Sequence, residues 1–136
     1  MTKNIDLNKY KDFVEGVTSH ASNDLATLVE SLKRLESSGV NASLLLTASI
    51  GMCGEAGEVS ELVKKLMFHG KELTPELHVH LQKELGDVIW YWTNACRALG
   101  VDPNTVIADN VTKLEARYPG GTFDALYSDN RKHNDI

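Results

Sequence analysis

Hydrophobic positions recur at helical spacing along almost the whole chain, and no stretch alternates polar and apolar residues between turns. From Asp6 to about Ser19, Leu7, Tyr10, Phe13, Val14 and Val17 share one side of a predicted first helix. A second runs from about Asp24 to Ser37, gathering Leu25, Leu28, Leu32 and Leu35, and Gly39 stands where a helix end favours positive φ. The third and longest extends from about Ser43 to Phe68, followed by Gly70. Thr74-Pro75 reads as an N-cap and a first-turn proline. The fourth helix then carries Leu77, Leu81, Leu85, Val88, Trp92, Ala95 and Leu99 on one stripe and stops at Gly100. Asp102-Pro103 repeats the start signal, and the fifth helix runs to about Tyr118, where Pro119-Gly120-Gly121 stops it. The expectation is an all-α bundle of four to five helices with short connections. It forms a single domain over residues 1–136, with its core at about 43–123 and a polar, loose tail at 124–136.

Composition narrows the class. With 136 residues, 42% hydrophobic and 24% charged, the chain has a globular make-up. A formal charge of -5 argues against nucleic acid polymers and anionic membranes as partners. The most apolar run, Leu44 to Cys53, is broken by Thr47, Ser49 and Gly51 and is too short for a span. The N-terminus has no apolar signal region. Cys53 and Cys96 are far apart and outside any CxxC pair, so they read as reduced core thiols of a cytoplasmic protein.

The chemistry lies on the third and fourth helices. Glu55 and Glu58 are three apart and therefore surface neighbours on a helix. Taking Ala56, Val59, Val63, Leu66 and Met67 as the apolar stripe, Glu55 falls roughly 50° and Glu58 roughly 110° from its centre. Glu84 and Asp87 repeat the pattern on the fourth helix, roughly 65° and 125° from its stripe. If the stripes pack together, both acidic pairs converge on one edge. Four such carboxylates repel and raise one another's pKa unless cations lie between them. All-oxygen ligands suit Mg²⁺ or Mn²⁺. A lone ExxE is more often a solvated face; two pairs at the core boundary of adjacent helices carry more weight. Gly54 and Gly57, poor helix formers within one turn, suggest a close approach to the backbone there.

Glu55-x-x-Glu58, twenty-five residues, then Glu84-x-x-Asp87 resembles the signature of the MazG-like nucleoside triphosphate pyrophosphohydrolases, of the all-α NTP pyrophosphatase superfamily. GEAGEVSELVKK is similar to that family's first metal helix and KELGDVIWY to its second. Asn110 to Leu114 with Arg117-Tyr118-Pro119 resembles its third, phosphate-side helix, so the likeness covers about Leu44 to Phe123. The resemblance implies Glu55, Glu58, Glu84 and Asp87 as Mg²⁺ ligands, with Mn²⁺ a possible substitute. It also implies hydrolysis of a nucleoside or deoxynucleoside triphosphate to monophosphate and pyrophosphate, and a homodimer or homotetramer. Glu55 or Glu58 is the candidate to orient or deprotonate the water. One departure is visible: many members have two adjacent glutamates at the first motif, and here Gly54 precedes Glu55.

Other residues fit a polyphosphate site. Asn110, Lys113 and Arg117 form a narrow stripe beside the fifth helix's apolar residues, Ile107, Val111, Leu114 and Tyr118. They can supply donors to phosphate, or they can be a snorkelling basic face. Lys65, on the Glu58 side of its helix, is a further phosphate candidate. Tyr91 fits base stacking and an interface role equally, whereas Trp92 belongs to the core stripe. His78 and His80, two apart, point to different sides of a helix and suggest nothing further. Two other function classes compete with the enzyme: a nucleotide-binding regulator without significant turnover, and a structural helical oligomer.

Overall fold

The computed structural model of the protein describes residues 6–130. Seven helices follow in order: α1 (Leu7–Val17), α2 (His20–Asn23), α3 (Leu25–Ser37), α4 (Ala42–Phe68), α5 (Pro75–Leu99), α6 (Pro103–Arg117) and α7 (Ala125–Asp129). No strand occurs among the described residues. The all-α class stands, and the five expected helices are α1, α3, α4, α5 and α6. The two additions are short. In α2, four residues turn between Ser19 and Asp24. In α7, the Asp124 carboxylate accepts from the Leu126 N–H at 2.8 Å, which starts a turn inside the expected polar tail. The last six positions of that tail lie outside the described residues.

Local chemistry sets the helix ends. Thr74 accepts from the Leu77 N–H ahead of Pro75, and Asp102 accepts from the Thr105 N–H ahead of Pro103. Each thereby satisfies an amide that the first helical turn leaves without a partner. Gly100 closes α5 in the left-handed region at φ 69°, which costs a residue without Cβ little.

The chain forms two compact units, Met1–Ser43 and Leu44–Ile136. In the first, Asp6 caps α1 and Asp24 caps α3, the latter accepting from both the amide and the hydroxyl of Thr27. The Thr27 hydroxyl and amide hold the Asp24 carboxyl below the usual aspartate range. The expected apolar side of α1 exists, yet Leu7, Tyr10, Phe13 and Val17 are all exposed.

In the second unit α4 and α5 pack side by side, and the contact is close at Gly51. A Cβ there would lie 2.1 Å from Cε1 of Tyr91, so the phenol ring occupies the space a side chain would fill. No part of the chain itself makes the approach expected at Gly54 and Gly57. A Cβ at either would meet nothing within 4 Å.

The packed face of α4 also differs from the expected stripe. Ala48 and Leu62 are buried and Val59 and Leu66 half-buried, but Ala56, Val63 and Met67 are exposed. The apolar residues of α4 cover two arcs, and the chain packs the arc that contains Glu55. On α5, Leu81, Val88 and Trp92 are half-buried as expected, while Leu85 is exposed beside Ile89. On α6 the apolar residues Ile107, Val111 and Leu114 are exposed, whereas Val106, Lys113 and Arg117 are half-buried. Cys96 is buried as expected. Cys53 is exposed, because it lies on the arc of α4 opposite the packed face, so it is not a core thiol.

Candidate metal centre

Helix spacing and the register fixed by Tyr91 on Gly51 bring three carboxylates together. Glu55 on α4 and Glu84 and Asp87 on α5 each offer an oxygen, and these atoms lie within 4.8 Å of one another. Glu55 is half-buried, Glu84 is buried at 8% exposure and Asp87 is exposed, so the cluster runs from the helix interface to solvent. Glu55 and Glu84 were expected at the edge of their stripes; they sit instead on the packed faces of α4 and α5.

Electrostatics follow from this crowding. Burial pushes the Glu55 carboxyl above the usual glutamate range. The charges of Asp87 and Glu58, and a hydrogen bond with Glu84, push it the same way. A cation placed among the three would offset that repulsion. Hard carboxylate oxygens without thiolate or imidazole in the group are the donor chemistry of Mg²⁺ and Mn²⁺.

Glu58 does not join the three. One turn beyond Glu55, it is exposed and lines an open groove of about 270 Å³ with Gly54, Gly57, Glu61, Lys65 and His80. Lys65 lies 3.4 Å from Glu61, which also pairs with Lys64. Tyr91, besides covering Gly51, meets Trp90 edge to face with ring centroids 4.7 Å apart. Its ring therefore packs the helix interface. Asn110, Lys113 and Arg117 follow one another along α6 as spaced, and none of them lines the Glu58 groove.

Two residues carry more than their sequence context suggested. His80 Nε2 lies 2.8 Å from Oε1 of Glu84. The i,i+4 spacing of a donor and a carboxylate on one helix was the available signal. Gly51 had none, because its role depends on which residue of α5 lies opposite.

The family model for the MazG nucleotide pyrophosphohydrolase domain matches residues 45–122, more than half of the chain and both acidic pairs. The chain belongs to the MazG nucleotide pyrophosphohydrolase family. A relative, the Gene 37 protein of Mycobacterium phage L5, is 39% identical over 85 residues, 61% of this chain and 73% of the phage protein. No solved structure matches the chain. The MazG match begins in the first turn of α4 and ends beyond α6, so α4, α5 and α6 are the family's helices and the acidic cluster falls inside them.

Proposed function

We propose that this MazG-family protein hydrolyses nucleoside or deoxynucleoside triphosphates at the α–β phosphoanhydride, releasing the monophosphate and pyrophosphate, with Mg²⁺ as cofactor and Mn²⁺ able to replace it. The observation that carries the reading is the convergence of Glu55, Glu84 and Asp87 within 4.8 Å, on the helices the family model covers. These three residues would hold the cation, and Glu58 would reach it from the groove. When bound, the metal supplies neutralisation of phosphate oxygens and a more acidic water.

The chain's own residues do the rest. Glu55, the half-buried member of the cluster on α4, is one candidate to accept a proton from the attacking water. Glu58 is the second candidate for orienting that water. Gly54 and Gly57, with no side chains and open space above them, leave room beside the cluster for a triphosphate. Lys65 borders the same groove, and Lys113, Arg117 and Asn110 on α6 are the proposed further phosphate donors. Tyr91 contributes to a base or ribose site only if its ring leaves Gly51.

Exposed apolar faces on α4, α5 and α6 support assembly with further copies of the chain into a homodimer or homotetramer. No helix among the described residues is long and apolar enough to cross a membrane. The free thiols fit the proposed cytoplasmic location, and the proposed functional core at 43–123 falls almost wholly in the second compact unit.

The test is a panel of all ribo- and deoxynucleoside triphosphates with Mg²⁺, with products identified. Monophosphate and pyrophosphate are expected, and turnover should cease after exhaustive chelation. Orthophosphate as the first product, or full turnover without divalent cation, would overturn the reading. Mg²⁺-dependent nucleotide binding without turnover would identify a regulator instead.

A further inference from the structure

His80 stands one helical turn before Glu84 on α5, with its Nε2 2.8 Å from Oε1 of the glutamate. The two side chains differ sharply in setting, at 52% exposed for the imidazole and 10% for the carboxylate. His80 thus covers the solvent side of a carboxylate whose other close neighbours, Glu55 and Asp87, are also acidic. It borders the Glu58–Lys65 groove on one side and a second open groove, with Lys71, Thr74 and Glu76, on the other. The imidazole nitrogens do not belong to the group of ligand atoms that lie within 4.8 Å of one another. Its place is therefore behind a ligand and outside the cluster.

Apart from His80, Glu84 meets the Glu55 carboxyl, a contact that an arriving cation would displace; because the terminal torsion of a glutamate is broad, its orientation must then be fixed by another partner. A donor fixed on one oxygen removes that freedom and leaves the other oxygen to the cation. Outer contacts of this kind typically change metal affinity about 10–100-fold. We propose that His80 is a positioning residue that holds the Glu84 carboxylate ready for the divalent cation. This inference rests on the metal reading given above.

The experiment titrates Mn²⁺ into the metal-free protein, followed by the electron paramagnetic resonance of free ion. It compares the wild type with His80→Ala, His80→Gln and Glu84→Gln, and records the melting temperature of each without metal. His80→Ala should weaken Mn²⁺ binding about 10–100-fold. His80→Gln, whose amide N–H reaches a similar distance, should recover most of the loss. Metal-free melting of both His80 variants should stay close to wild type, since the imidazole is half in solvent. Wild-type affinity in His80→Ala would overturn the proposal while leaving the metal site standing. An equal loss in His80→Gln, or a His80→Ala protein without its helical signal, would also overturn it. Wild-type protein that fails to bind Mn²⁺ at all would remove the metal site and this inference together.

Discussion

Gly51 and Gly54 are interior positions of the same helix, three residues apart, and alanine should stabilise at Gly54 but not at Gly51. In a helix interior, alanine is favoured over glycine by about 1 kcal/mol. At Gly54 a Cβ meets nothing within 4 Å, so Gly54→Ala should keep most of that gain. At Gly51 the same Cβ would stand 2.1 Å from Tyr91 Cε1, against the roughly 3.5–4.0 Å of ordinary carbon contact. The ring must retreat, and it is half-buried and engaged edge to face with Trp90. Overpacking of this kind costs about 1–3 kcal/mol, which exceeds or cancels the propensity gain. Because propensity is common to both variants, the difference between them isolates the Tyr91 contact at about 1–3 kcal/mol. Urea unfolding without metal measures it. With slopes near 1–3 kcal/mol per molar, each kcal/mol moves the midpoint by about 0.3–1 M. Adding Tyr91→Ala to Gly51→Ala should remove the penalty of the glycine substitution. If Gly51→Ala is as stable as Gly54→Ala, the α4–α5 register described here is wrong, and with it the convergence of the three carboxylates.

Two further predictions concern the cluster itself. In metal-free protein the raised Glu55 pKa makes this group's contribution to stability fully present below the ordinary glutamate value and lost as pH rises through the folded value. Glu55→Gln should therefore melt higher than wild type above that window and match it in acid; a constant offset at all pH values would refute the charge explanation. Asp87→Asn should abolish turnover while leaving the circular dichroism helical, and wild-type turnover in this variant would remove the cluster from the mechanism.

Much of this was legible in the sequence where the cause is local. Thr74, Asp102 and Gly100 act within a few residues of themselves, so the limits of α5 and α6 could be read directly. Glu55, Glu84 and Asp87 were legible as candidates because i,i+3 spacing needs only one helix. Two features depend on the neighbouring helix and were not. On α4, Val63 and Met67 look as suited to a core as Leu62 and Leu66, and only packing against α5 selects one arc. Gly51, Gly54 and Gly57 look equivalent until Tyr91 is found over the first. Glu58 shows the limit of the spacing argument: three residues place it near Glu55 in sequence angle but on the groove side, outside the group of three.

The distribution of burial has a thermodynamic consequence. Among the described residues the buried hydrophobic ones are Ala42, Ala48, Leu62, Cys96 and Ala98, three of them alanines. Burying a large aliphatic or aromatic side chain contributes about 1.5–3 kcal/mol, and here Met67, Ile89, Trp90 and Ile107 are each more than half exposed. On the inward faces of α4 and α5, Glu55 and Glu84 occupy positions that apolar side chains could fill, and the crowding around Glu55 opposes folding when it is ionised without a cation. The proposed covering of the outer faces by other copies would supply that burial, and folding and assembly should then be one process. For a dimer that unfolds as it dissociates, a hundredfold rise in protomer concentration adds about 2.7 kcal/mol to the apparent stability. Melting measured over that range should rise with concentration, while sedimentation reports a multiple of the 15.0 kDa chain throughout. A concentration-independent melting temperature with a monomer's sedimentation would show that the exposed stripes of α4, α5 and α6 are not covered by copies of the chain. The homo-oligomer proposal would then fail, and the family's catalytic cluster would have to be complete within one chain.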